Sequence, residues 1–185
     1  MAYIEEDGML KAKNYRFFER SAHIAAGRNA CFPTYYHELL KCAFEKVWIW
    51  DPYFISNDED IFGYIPSNVD VRLLYLWNKN PHANIVSPIT AFNNIDGRLA
   101  MPKGNLEIAF LESGTQLYMQ RKWHDRFLIL DQSTIFLVGG SLSFQRTDAK
   151  SFGIYELKNA DDAGLVMERF EDTWNAAVAA GNIIR

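Results

Sequence analysis

The sequence predicts an α/β protein, an α-β-α sandwich with a mixed central sheet. Segments that read as strands alternate with helical segments, an order that places helices on both faces of a sheet. The strands at residues 46–54 and 69–77 are near-continuous apolar runs, which is typical of strands covered on both faces. With 185 residues, 49% hydrophobic and 15% aromatic, the chain can bury a dense core. We expect an N-terminal arm at 1–33 and a single domain at 34–185.

The individual elements follow from local signals along the chain. Thr34 can cap a helix that runs to about Glu45, and the first strand ends at Asp51-Pro52, where proline removes a backbone donor. The remaining elements, in order, are a short helix at 58–65, a strand at 69–77, one broken helix around 85–99 in the polar loop 78–104, a strand at 106–113, an edge segment at 115–123, strands at 124–131, 134–140 and 151–157, and a helix opened by Asp161-Asp162 and stopped by Gly181, with Leu165, Val166, Phe170, Trp174 and Val178 on one face.

The two cysteines and the N-terminus indicate where the protein works. Cys31 and Cys42 form no Cys-x-x-Cys pattern, so we expect them to be reduced, with neither a disulfide framework nor a zinc site. Acidic residues stand near the N-terminus where a signal peptide needs basic ones, and no apolar run is long enough to span a membrane. We therefore expect a cytoplasmic protein without a membrane partner, or one domain of a longer protein.

Charge is distributed unevenly along the chain. The formal net charge is −4, which gives no overall attraction to nucleic acid, but substrates respond to local fields. Residues 51–70 hold five acids and no lysine or arginine, whereas 120–150 hold five basic residues against three aspartates. The basic segment favours a polyanionic substrate.

The same basic segment contains a group of polar residues at strand ends. Side chains alternate along a strand, so His124 and Arg126 should share one face with Leu128 and Leu130, while Phe127 and Ile129 fill the other. Asp131 closes this strand, and a hairpin returns the chain to a Gly-Gly pair that exposes Ser141. Taken singly, His124 is typical of a core histidine whose hydrogen bonds are made within the protein, and Arg126 of an arginine in a salt bridge. Taken together, they favour a functional site.

The motif formed by these residues resembles a known signature. HDRFLILD followed by GGSLS resembles the HKD motif of the phospholipase D superfamily, H-x-K-x4-D with a downstream G-S-x-N. The strand ending in Asp-Pro-Tyr-Phe, the two apolar strands before the motif, and the final strand and helix are also similar to bacterial single-motif members. The resemblance covers roughly residues 35–178 and implies a phospholipase D-like fold.

The resemblance also implies roles for individual residues. His124 would attack phosphorus and form a phosphohistidine, because imidazole is both a nucleophile and a leaving group. Arg126, Ser141 and Ser143 would bind the phosphoryl oxygens, and Asp131 and Glu156 would orient the imidazole and the cation. No metal and no cofactor are implied.

Three features depart from the family pattern. Arginine stands at position 126 in place of lysine, and the two side chains are not equivalent donors. Eight residues separate Asp131 from the glycine that precedes Ser141, which is longer than the family's usual spacing. Ser143 takes the place of the terminal asparagine. These changes fit a divergent active subfamily and also fit a degenerate site.

The chain has one such motif, whereas the family uses two histidines. His23, His37 and His82 lack the following basic residue and aspartate. The resemblance therefore implies a C2 homodimer that brings two copies of His124 together.

Two functions follow. The first is a metal-independent phosphodiesterase, a nuclease that acts on nucleic acid and more on DNA than RNA, with affinity supplied by further domains or subunits. The alternative is a catalytically degenerate module for dimerisation or nucleic-acid binding within a larger assembly.

Overall fold

The computed structural model describes residues 3–4, 9–12, 15–18, 39–54, 58–79, 85–139 and 152–185. These residues contain one ten-stranded sheet, in the order β1-β2-β3-β9-β8-β7-β4-β5-β6-β10. Strands β4, β5 and β6 run parallel, and the other neighbouring pairs are antiparallel. The predicted mixed sheet is therefore confirmed. The strands are Tyr3–Ile4 (β1), Met9–Ala12 (β2), Tyr15–Phe18 (β3), Lys46–Asp51 (β4), Asp70–Trp77 (β5), Leu106–Glu112 (β6), Arg126–Leu130 (β7), Thr134–Val138 (β8), Phe152–Glu156 (β9) and Ile183–Ile184 (β10).

Helices cover both faces of the sheet, as the sequence predicted. A 3₁₀ helix (Asp58–Tyr64) and helix α1 (Pro88–Asp96) pack against one face, whereas α2 (Gln116–Arg121) and α3 (Ala160–Ala179) lie on the other. Two hydrophobic clusters result, one on each side of the sheet. Among the described residues, no helix has the length and apolar character to cross a membrane.

The alternation predicted for β7 is confirmed. Leu128 and Leu130 belong to the cluster on the α1 side, and Ile129 lies fully buried in the cluster on the α3 side with Phe127 packed against it. Because side chains alternate along a strand, Arg126 lies on the α1 side of the sheet with Leu128. The face on which Arg126 lies determines which side chains it can contact.

Helix α3 packs through a narrower stripe than we expected. Phe170 and Trp174 are buried, and Phe170 stacks on Trp48 of β4 with ring centroids 5.0 Å apart. Leu165, predicted on the same face, is 66% exposed. Five residues of an α-helix turn about 140°, so Leu165 points away from the side that carries Phe170.

Three other expectations change in detail. The segment 115–123, expected as an edge segment, forms α2, because the Thr115 side chain accepts a hydrogen bond from the Tyr118 N–H and caps the helix. The N-terminal segment, expected as an arm, contributes β1 to β3, which extend the sheet through the pairing of β3 with β9. The helix expected from Thr34 to about Glu45 ends earlier than predicted: residues 39–40 are helical, 41–45 form turns and bends before β4, and 34–38 lie outside the described residues.

Candidate active site

The end of β4 and the start of β7 lie side by side at the position of the His124 motif. Strands β4 and β7 are antiparallel, and the register that pairs Trp50 with Phe127 sets Asp51, the last residue of β4, opposite Arg126, the first of β7. This edge is also the carboxyl end of the parallel strands, where ligands bind in open α/β sheets. The fold therefore brings the motif to a position suited to a substrate.

Asp51 and Arg126 form an ion pair inside this edge. The Arg126 Nε donates to Asp51 Oδ1 at 3.0 Å, and the side-chain exposures are 17% for the arginine and 0% for the aspartate. Burial raises the pKa of Asp51 above its ordinary value, although the Arg126 charge and the Tyr53 N–H oppose the change. The second oxygen, Oδ2, is buried and has no hydrogen-bond partner among the described residues. The arginine is thus anchored by a carboxylate that water does not reach.

Tyr53 connects this ion pair to the histidine. Its hydroxyl lies 2.6 Å from His124 Nδ1, and its backbone N–H donates to Asp51 Oδ1 at 2.8 Å. The Arg126 guanidinium carbon lies 5.1 Å from the centre of the tyrosine ring, a cation–π distance. His124 is exposed, and the bond to Nδ1 leaves Nε2 as the nitrogen that can meet a substrate. His124 and Arg126, two of the expected site residues, therefore share one cluster with Asp51 and Tyr53.

Asp131 lies at the other end of β7. Its carboxylate accepts hydrogen bonds from the backbone N–H groups of Phe44, Glu45 and Lys46 at 2.9 to 3.3 Å, where β4 begins. Burial acts to raise the pKa of Asp131, but these donors outweigh it and lower the pKa below its ordinary value. The five-residue strand β7, about 16 Å long, lies between Asp131 and the end that carries His124. We therefore correct the expected role in orienting the imidazole: Asp131 instead joins the end of β7 to the start of β4.

The turn after β7 explains why an aspartate suits this position. Asp131 and Gln132 have φ values of 49° and 56°, in the left-handed region that aspartate tolerates better than most residues. The backbone thus turns into β8 while the carboxylate reaches the start of β4.

Among the described residues, Glu156 makes no hydrogen bond to the imidazole. It ends β9 and pairs in register with Phe136, which pairs with Leu128, so its Cα lies two strands and two residues from Arg126, about 12 Å away. Its carboxylate forms an ion pair with Lys158. Ser141 and Ser143, together with the second glycine of the pair before them, lie outside the described residues, so their convergence on His124 stays a prediction.

Asp51 and Tyr53 were missed as site residues. In the sequence, Asp51-Pro52 indicated the end of a strand. The available signal was a charged residue inside a near-continuous apolar strand, since a carboxylate buried there needs a partner. Identifying that partner required the β4–β7 register, which connects positions 75 residues apart.

A cavity of about 490 Å³ lies at the opposite edge, among the starts of β4, β5 and β6. Two of its cations, Arg72 and Arg185, bond the two carboxylate oxygens of Glu107, and Lys46 donates to Gln132. These basic groups are already satisfied, and the cavity is remote from His124. We therefore place the candidate site at the His124 edge.

Among the described residues, no group of three or more histidine, cysteine or acidic side chains could hold a metal ion.

Comparison with known proteins relates this arrangement to solved structures. No protein-family model matches the sequence, and no curated protein matches it. Nuc from Salmonella typhimurium, a phospholipase D family member, aligns with a TM-score of 0.50 and 15% identity over 77% of this chain and 86% of that chain. NucT from Helicobacter pylori aligns with a TM-score of 0.51 and 13% identity over 89% and 95%. At such identities the likeness shows the fold, and the expected phospholipase D-like fold is confirmed.

Proposed function

We propose, from the premise that the chain has the phospholipase D fold, that it is a phosphodiesterase: a metal-independent nuclease that works through a phosphohistidine. The observation that carries the proposal is the pair formed by His124 and Arg126 at one strand end. The exposed imidazole is held through one nitrogen by the Tyr53 hydroxyl, and the Arg126 guanidinium, fixed by Asp51, lies against the same tyrosine ring. A nucleophile and a phosphate-binding cation are the two groups that this chemistry needs first.

The reaction would proceed in two displacements. His124 Nε2 donates its lone pair to phosphorus, the bond from phosphorus to the leaving oxygen breaks, and that oxygen takes a proton from an acid. Water then attacks the phosphohistidine, gives its proton to the same group, and releases His124. Each displacement is easier than direct hydrolysis, because imidazole attacks and leaves more readily than water or alkoxide.

Arg126 would bind the non-bridging oxygens. Its Nε is occupied by Asp51, which leaves the two terminal nitrogens with four N–H donors for a phosphate. A guanidinium in this orientation stabilises the negative charge that develops in the transition state. Ser141 and Ser143 are proposed as further donors.

The acid would come from a second copy of the chain. Of the four histidines, His124 is the one within the described residues, and the other three lack the motif. We therefore propose a C2 homodimer in which one His124 attacks and the partner's copy protonates the leaving oxygen. A general acid contributes about 10²- to 10⁴-fold, so a monomer should be nearly inactive.

Nucleic acid is the proposed substrate, with DNA tested before RNA. The basic segment that contains the motif supports this choice, since Lys122 is exposed two residues before His124 and lysine side chains favour a polyanion. With a net charge of −4, further domains or subunits would add affinity.

A second candidate is a non-catalytic member that keeps a binding pocket. The observation that favours it is the ion pair itself, because the Asp51 charge offsets that of Arg126 and weakens the attraction to a phosphate. This candidate predicts nucleic-acid binding without turnover.

One experiment separates the two candidates. Hydrolysis of bis(p-nitrophenyl) phosphate and cleavage of single- and double-stranded DNA are measured in excess EDTA, for the wild type and for His124→Ala. Resistance to EDTA, loss in the variant and an acid-labile phosphoprotein trapped with labelled substrate support the nuclease. Equal rates in the two proteins would exclude catalysis at this site.

A dilution series tests the dimer. Specific activity should fall as sedimentation shows the protein dissociating to monomer. Activity that stays constant in the monomer would exclude the shared site while leaving the role of His124 intact.

A further inference from the structure

We propose that Tyr53 is a positioning residue that fixes the tautomer and the orientation of the His124 imidazole. The inference rests on the proposed function, since it assigns Tyr53 a task in the same reaction. In many histidine-dependent sites a carboxylate performs this task. Here a neutral hydroxyl occupies the place, because the Tyr53 Oη lies 2.6 Å from His124 Nδ1.

Tyr53 is itself held from two sides, although it is 43% exposed. Its backbone N–H donates to Asp51, a fully buried residue, and its ring lies against the Arg126 guanidinium. Pro52 precedes it and restricts the backbone φ of the turn. The hydroxyl therefore has a fixed position relative to the sheet. Its hydrogen bond to Nδ1 in turn fixes the orientation of the imidazole.

Neither the carboxylate nearest the site nor the two expected from the motif bonds the imidazole. Asp51 Oδ1 accepts from Arg126 and from the Tyr53 N–H. Asp131 bonds backbone groups at the far end of β7, and Glu156 pairs with Lys158. Within the described residues, the group that bonds the His124 ring is the Tyr53 hydroxyl.

The chemistry requires that this hydroxyl accept rather than donate. A neutral imidazole carries one proton, and attack from Nε2 needs that proton on Nδ1. When the Nε2–P bond forms and the P–O bond breaks, the Nδ1 proton stays in place and the ring becomes cationic. The hydroxyl oxygen can accept from Nδ1–H both before and after this step, so one hydrogen bond serves the free enzyme and the intermediate.

Tyr53→Phe tests the role because it removes the hydroxyl and keeps the ring against Arg126. Tyr118→Phe, on α2, is the matched control. We expect Tyr53→Phe to lower kcat for bis(p-nitrophenyl) phosphate about tenfold, the size of one orienting hydrogen bond, with KM nearly unchanged. In ¹⁵N NMR spectra, the His124 ring signals should show mainly Nδ1–H in the wild type and a mixture of tautomers in the variant, while the control matches the wild type. The His124→Ala spectrum assigns these signals.

The spectra keep this inference separate from the proposed function. If the wild type shows no His124-dependent hydrolysis, the nuclease proposal is excluded. The tautomer comparison still decides the role of Tyr53: a mixture of tautomers in Tyr53→Phe supports that role, and unchanged ring signals overturn it. With an active wild type, unchanged kcat together with unchanged ring signals in Tyr53→Phe overturns it as well.

Discussion

Replacing Arg126 by methionine should strongly destabilise the protein. Methionine keeps an unbranched apolar side chain but removes the charge that faces Asp51. Removing one member of a buried ion pair costs about 3–5 kcal/mol, because the remaining charge has no partner. The side chains of this pair are 17% and 0% exposed, and the slight exposure of the arginine favours the lower end, about 3 kcal/mol.

The loss should depend on pH in a defined direction. Burial already raises the pKa of Asp51 in the folded protein, and Arg126 opposes that effect, so the variant should raise this pKa further. A group whose pKa is raised on folding contributes stability below its unfolded value, near 3.8, and loses it as the pH rises through the folded pKa. The deficit of Arg126→Met against the wild type should therefore be larger at pH 7 than at pH 4.

Urea unfolding followed by tryptophan fluorescence measures both effects, within a double-mutant cycle. Asp51→Asn alone should also destabilise, since it leaves Arg126 without its countercharge. The double variant should lose clearly less than the sum of the two single losses, with a coupling of about 1.5–3 kcal/mol. Additivity within about 0.5 kcal/mol, or a deficit independent of pH, would refute the reasoning.

Further predictions concern stability away from the pair. Asp131→Ala should lower the free energy of unfolding by about 1–2 kcal/mol at pH 7 with hydrolysis per folded molecule unchanged. Because folding lowers the pKa of this carboxyl, the wild-type advantage in urea titrations should decline as the pH falls below about 3.8 and passes through the lower pKa of the folded protein. Gly104→Ala should destabilise the protein by about 1–3 kcal/mol, because a Cβ there would lie 2.2 Å from the Val69 carbonyl oxygen. Gly164→Ala, in α3 with nothing within 4 Å of the added Cβ, should instead raise the free energy of unfolding by about 0.5–1 kcal/mol. Thermal unfolding of the two variants compares these effects. Phe170→Ala, which empties a buried site on Trp48, should cost about 3–5 kcal/mol in urea.

Local patterns in the sequence were sufficient for most of the fold. The apolar runs of β4 to β8 identified the strands, and the alternation of β7 placed Arg126 and Leu128 on one face. The segment that forms α2 was misread, because a six-residue helix with no buried residue has a weak periodic signal. In the site, His124 and Arg126 stand within one motif, whereas the contribution of Asp51 depends on strand register. Register is set by packing over the whole sheet, and a single sequence does not show it.

The structure gives the arginine at position 126 a physical reason. A lysine at this position would offer a single compact ammonium group. The Asp51 carboxylate and a bound phosphate would then compete for that one group. Arginine separates the two tasks, because Nε bonds Asp51 while the terminal nitrogens stay available to a ligand. Asp51 in turn holds the backbone of Tyr53, and Tyr53 bonds His124. His124 and Arg126 therefore both depend on one short segment, Asp51-Pro52-Tyr53, so a change at Asp51 should disturb both.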